Sequence, residues 1–154
     1  YITLCDILVS HPLKLLSTAI YKAFNRDSLP LLGRGKRPVG AKYTSCFISE
    51  SNLQGTSKSF GMPSGHSITA ASTFAFWYLY FNEHTQDIKL RRRQQVILGI
   101  ICSAVILSRI YLGCHTIQQT IVGGMIGALL GIVGYKIIYK KVLYYIQYYN
   151  ILEI

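Results

Sequence analysis

The chain has 154 residues, 51% of them apolar or aromatic, with a mean hydropathy of +0.32 and a formal net charge of +10. That length suits one domain, and the apolar residues come in blocks rather than at amphipathic spacing, which points to an integral membrane protein and away from a soluble enzyme. The basic residues lie between the apolar blocks with no zinc-finger or other nucleic-acid signature, so nucleic acid is set aside as a partner in favour of anionic headgroups and a phosphate-bearing substrate.

The cysteines at 5, 46, 102 and 114 are widely spaced, with no Cys-x-x-Cys and no histidine at ligand spacing, so a zinc site is not expected, and nothing else in the sequence calls for a cofactor. Cys102 reads as a small core residue inside an apolar run, whereas Cys46 and Cys114 are free to meet or not. The chain opens on Tyr1 without a signal peptide, and the expectation is a single membrane-embedded domain over 1–154, N-terminally incomplete.

In chain order, residues 2–24 are apolar but interrupted by Asp6, His11, Pro12 and Lys14, which predicts the end of one helix, a break at His11-Pro12 and a second helix to about Phe24. Residues 25–63 form the one long polar stretch, carrying Gly33-Arg34-Gly35-Lys36-Arg37-Pro38-Val39-Gly40 and then a Ser/Thr/Asn-rich segment over 44–59. Long loops within compact domains are often functional, and the density of Gly and Arg favours a phosphate-facing loop over a linker. The stretch ends in Gly61-Met62-Pro63-Ser64-Gly65-His66-Ser67, where Ser64 is an N-cap type and Pro63 cannot extend a helix backwards. A helix start offers unpaired N–H groups to an anion, Gly65 lets an oxyanion approach the backbone, and His66 adds a titratable group; the alternative is a capped membrane helix with an incidental histidine.

Three membrane-length runs follow, over 67–81, 96–114 and 117–139, giving four or five recognisable spans in an all-α integral membrane helical bundle. Gly123, Gly127 and Gly131 recur at four-residue spacing in the last run, a stripe that serves close helix packing in lipid rather than chemistry. Tyr135, Tyr139, Lys136, Lys140 and Lys141 mark a membrane interface, with an interfacial helix continuing through the later tyrosines. Helix parity then places Arg91, Arg92 and Arg93 on one side and returns Ser108, Arg109 and His115 to the side of the long loop and His66. An arginine at the end of an apolar span needs a partner or a wet cavity, and phosphate is a natural partner for guanidinium.

Three ordered blocks, Arg37-Pro38, Pro63-Ser64-Gly65-His66 and Ser108-Arg109 with His115, resemble the type 2 phosphatidic acid phosphatase family, which shares its core with class A acid phosphatases and vanadium haloperoxidases. The resemblance covers 37–119 and departs from the family pattern twice. The lysine expected seven residues before Arg37 is replaced by Pro30, leaving Lys22, Lys36 or Arg34 to supply the charge, with Lys22 preferred if the loop carries an insertion. Gln119 stands where aspartate is commonest; it can still accept an imidazole N–H but cannot stabilise an imidazolium as a carboxylate does.

The resemblance implies His115 as nucleophile, His66 as general acid and then base, Arg37, Arg109, Ser64 and the Gly65 amide on the phosphoryl oxygens, and Gln119 orienting His115, with no metal. The activity it implies is hydrolysis of a lipid phosphate or isoprenyl diphosphate at the bilayer. Separately, Arg91, Arg92 and Arg93 with Lys140 and Lys141 mark their side as cytoplasmic, so the active face is expected on the lumenal or extracytoplasmic side. The competing expectations are a catalytically silent membrane protein that binds phospholipid headgroups and a vanadate-dependent haloperoxidase, which usually sits on a soluble scaffold.

Overall fold

The computed structural model describes residues 9–30, 32–42, 46, 55 and 59–152. Helix α1 runs His11–Ala23 with Pro12 in its first turn, where a missing N–H costs no hydrogen bond. Val9 and Ser10 are already helical, so the expected break at His11-Pro12 is absent; the segment before them lies outside the described residues. After α1 comes a feature that the sequence reading did not anticipate, a two-stranded hairpin of β1 (Ser28–Leu29) and β2 (Gly33–Arg34), antiparallel with Ser28 opposite Arg34 and Leu29 opposite Gly33. Strands this short carry no readable alternation of apolar and polar residues. The hairpin lies between Lys22 and Arg37 and lengthens the chain that joins them.

Beyond the hairpin, residues 35–37 pair with 59–61. Gly61 N–H donates to the Gly35 carbonyl at 2.9 Å, Arg37 N–H donates to the Ser59 carbonyl at 3.2 Å, and Lys36 faces Phe60 in an antiparallel bridge. The pairing sets Arg37 beside the turn into α2 (Gly65–His84). Asp87 caps α3 (Ile88–Tyr111), its Oδ1 accepting from Lys89 N–H at 2.8 Å, so the helix starts well before the expected 96 and takes in the three arginines. It also stops short of the expected 114, leaving Gly113 with φ +66 in the turn that leads to His115. Thr116 caps α4 (Ile117–Val133), which passes through a π-helical segment (Gly134–Tyr139) into α5 (Lys140–Leu152).

Among the described residues, two helices are long and apolar enough to cross a membrane, Ile88–Tyr111 and Ile117–Tyr149. Their outward faces are apolar: Val96, Ile100, Leu107, Met125 and Leu129 are all exposed, as expected of surfaces solvated by lipid rather than water. Helix α2, with its hydroxyl-rich first turns, packs chiefly against α4.

That contact runs along Gly123, Gly127 and Gly131. A Cβ added at these positions would strike the backbone carbonyls of Ser64, Ile68 and Ser72 respectively, so the two helices touch backbone to backbone. Gly127→Ala is therefore expected to lower stability by about 1–3 kcal/mol, because the obstructing atom is main chain and cannot rotate away. Thermal unfolding in detergent would measure it; Gly124→Ala, where a Cβ meets nothing within 4 Å, is the control.

Candidate active site

The end of α2 nearest α4 is built by its cap. Ser64 is fully buried, and its hydroxyl accepts from Ser67 N–H at 3.4 Å and from Ser67 Oγ at 3.0 Å. Its own N–H donates to the Gln119 carbonyl at 3.1 Å, which joins the start of α2 to the first turn of α4. Gly65 is the first residue of α2 and is buried; His66, next in line, is half-buried.

Gln119 is the hub of the site, and it is wholly buried. Its amide Nε2 donates to the carbonyls of Arg34 at 2.8 Å, Lys36 at 2.9 Å and, at greater length, Gly35 at 3.4 Å. A nitrogen facing three carbonyls must be the NH₂, so the other terminal atom is the oxygen. That Oε1 accepts from Thr116 N–H at 3.1 Å, completing the reciprocal cap of α4, and lies 3.2 Å from His115 Nδ1.

The tautomer of His115 follows. An acceptor at Nδ1 requires the ring proton there, which leaves the lone pair on Nε2. Arg37 Nη1 donates to that lone pair at 3.1 Å and to the Cys114 carbonyl at 2.9 Å, while its Nε donates to Ser59 Oγ at 3.1 Å. Both side chains are nearly sealed from solvent, at 3% exposure for His115 and 5% for Arg37. Burial, then the charges of Arg37 and Lys14, push His115 from 6.5 down to about 3, against a smaller upward pull from Gln119 and the Gly61 backbone. The ring is thus neutral across the physiological range, with one lone pair held beside a guanidinium.

Arg109, half-buried in the last turn of α3, supports this segment through its main chain: its carbonyl accepts from both Cys114 N–H at 3.0 Å and His115 N–H at 3.2 Å. Its Nε donates to Ser108 Oγ at 3.1 Å. Lys22 is exposed and lines a cavity of about 410 Å³ with Tyr21, Asn25, Arg26, Asp27, Lys36 and Phe60, none of which is His115, Arg37 or Gln119. Of the other candidates for the missing lysine's charge, Lys36 pairs with Asp27 at 2.7 Å and holds that carboxyl below its usual range.

Sequence reasoning passed over Lys14, whose charge reaches His115. Ser17 Oγ donates to the Met62 carbonyl and Tyr21 Oη to the Gly33 carbonyl at 2.9 Å, so the α1 face bearing 14, 17 and 21 is turned to the site. No periodicity of α1 singles these positions out, since His11, Thr18 and Lys22 are polar as well.

The model of the PAP2 superfamily matches residues 16–143. Phosphatidylglycerophosphatase B of Bacillus subtilis (strain 168) is 34% identical over 73 residues, covering 47% of this chain and 36% of that protein. Dolichyldiphosphatase 1 of Homo sapiens and of Rhinolophus ferrumequinum are each 35% identical over 81 residues, covering 47% of this chain and 34% of theirs. The chain thus spans about a third of the length of the curated relatives that it matches. No solved structure matches it at comparable significance. The family match runs from within α1 through the turn into α2 and the His115 segment to α5, and the chain belongs to the PAP2 superfamily.

Proposed function

We propose that this chain is the catalytic domain of a membrane-embedded, metal-independent phosphatase that cleaves a lipid phosphate or lipid diphosphate through a phosphohistidine on His115 Nε2. The observation that carries it is the buried, neutral imidazole whose lone pair lies 3.1 Å from Arg37. A phosphoryl oxygen entering the site takes over the guanidinium, which frees Nε2 to attack phosphorus. The bond from phosphorus to the lipid oxygen breaks as the N–P bond forms, and His66 supplies the proton to the departing oxygen. Positive charge then spreads over the His115 ring, where Gln119 Oε1 holds the Nδ1 proton. In the second step His66 takes a proton from water, the hydroxide attacks phosphorus, and His115 leaves as the same neutral tautomer. Arg37 and Arg109, with Ser64 and the Gly65 amide, hold the non-bridging oxygens throughout. Lys14 replaces Lys22 in this scheme as the further cation near the nucleophile, on the strength of its charge at His115.

The names of the relatives, a phosphatidylglycerophosphatase and dolichyldiphosphatases, support both a lipid phosphate and an isoprenyl diphosphate as substrate classes. The disulfide between Cys46 and Cys114 supports a lumenal or extracytoplasmic catalytic face, since such bonds persist in oxidising compartments. The arginines at 91–93 agree with a cytoplasmic opposite face. Residues 25–63 are the catalytic-face loop in this reading, contributing Arg37 and the wall that Gln119 grips.

The test is phosphate release from phosphatidate and farnesyl diphosphate by the full-length protein in EDTA. Release from at least one, undiminished by the chelator, is expected; binding without release would instead identify a silent headgroup-binding protein. The His115 environment adds a pH prediction. The acid limb of kcat/KM contributed by the nucleophile is expected near 3 rather than 6.5, measured with a substrate of known ionisation. The unfolded chain binds this proton more readily than the native one, so stability should also fall as pH drops from 6.5 towards 3.

A further inference from the structure

The disulfide joins positions 68 apart in sequence, with Cα atoms 5.3 Å apart, and both cysteines are buried with Ala41 in a small apolar knot. Cys114 directly precedes His115, and its carbonyl is one of the acceptors of the Arg37 guanidinium. Cys46 lies nine residues after Arg37, in the segment that leaves Arg37 and returns to it at Ser59. Within that segment Ala41 N–H donates to the Pro38 carbonyl at 3.3 Å and Cys46 N–H to the Lys42 carbonyl at 3.1 Å, which keeps the path from Arg37 to the disulfide short. One covalent bond therefore fastens the arginine-bearing loop to the residue beside the nucleophile. The Arg37 guanidinium donates to carbonyl, hydroxyl and imidazole acceptors, each a weaker anchor for a buried cation than a carboxylate.

We propose that the Cys46–Cys114 disulfide is a positioning device for the reaction, holding Arg37 in register with His115 Nε2 and making hydrolysis sensitive to thiol reduction. The inference rests on the catalytic reading of His115 above. Cys102, a buried free thiol within α3, takes no part.

The experiment uses the full-length protein in detergent with tris(2-carboxyethyl)phosphine, which converts the S–S bond to two thiols while taking oxygen from water to become its oxide. On reduction, amide hydrogen exchange should accelerate in 34–41 and 113–119 while α2 and α4 stay protected. kcat should fall by about 10- to 100-fold, more than KM changes, because a displaced guanidinium no longer meets the phosphoryl oxygens in the transition state. The acid limb of kcat/KM should move up, since the Arg37 charge leaves the imidazole while that of Lys14 on α1 stays. Cys46→Ser should reproduce these effects and become insensitive to the phosphine; Cys102→Ser should keep full activity and sensitivity. Unchanged rate and exchange after complete reduction would overturn the proposal. So would a general loss of protection with an unmoved acid limb, which describes a cross-link that only stabilises the fold. If the oxidised protein releases no phosphate, the phosphatase reading fails, and local exchange at 34–41 and 113–119 still decides the positioning claim.

Discussion

Replacing His115 with alanine should abolish phosphate release, by at least about 10⁴-fold in kcat, since removing the nucleophile removes both steps of a covalent route. His66, the other imidazole of the scheme, is assigned to moving protons at the start of α2 and cannot also form the covalent bond. Arg37 would keep its contacts to Cys114 and Ser59, so the pocket should survive the truncation and still take up phosphate. Wild-type enzyme quenched in alkali during turnover should carry an acid-labile, alkali-stable phosphoryl label that His115→Ala lacks. Release that persists in the variant would sink the phosphohistidine route.

Gln119→Glu should destabilise the protein by roughly 3 kcal/mol at neutral pH, the scale of an uncompensated buried charge, and slow turnover with it. Sequence comparison alone suggests the reverse, because a carboxylate at this position would stabilise the imidazolium-like ring. The geometry decides the sign: an oxygen in place of Nε2 would face the carbonyls of Arg34, Gly35 and Lys36, trading three attractions for three repulsions. Acidification should relieve part of the loss, because a protonated glutamate regains a donor. Melting temperature against pH for both proteins measures this; a variant as stable as wild type and faster would refute the hub role of the Gln119 amide.

The turn into α2 was legible because its causes are local. Pro63 and Ser64 dictate a start and cap within one turn, and the structure begins α2 at Gly65. The ends of α3 were not, since Asp87 recruits a charged stretch that hydropathy alone would leave outside, and Gly113 ends the helix early. Lys14 escaped notice because its relevance depends on the rotation of α1 against the Met62 turn, which no periodicity encodes.

The sequence by itself determined that the chain is a helical membrane protein and which stretches the proposed chemistry draws on, through apolar blocks, a helix cap and motif spacing, all readable from near neighbours. Tertiary structure alone decided that Gln119 clamps the loop at Lys36, 83 residues away, that Cys46 reaches Cys114, and that Arg37 meets the His115 lone pair. A hydrogen bond's direction and a ring's tautomer depend on every partner present, and those partners are assembled only when distant segments pack.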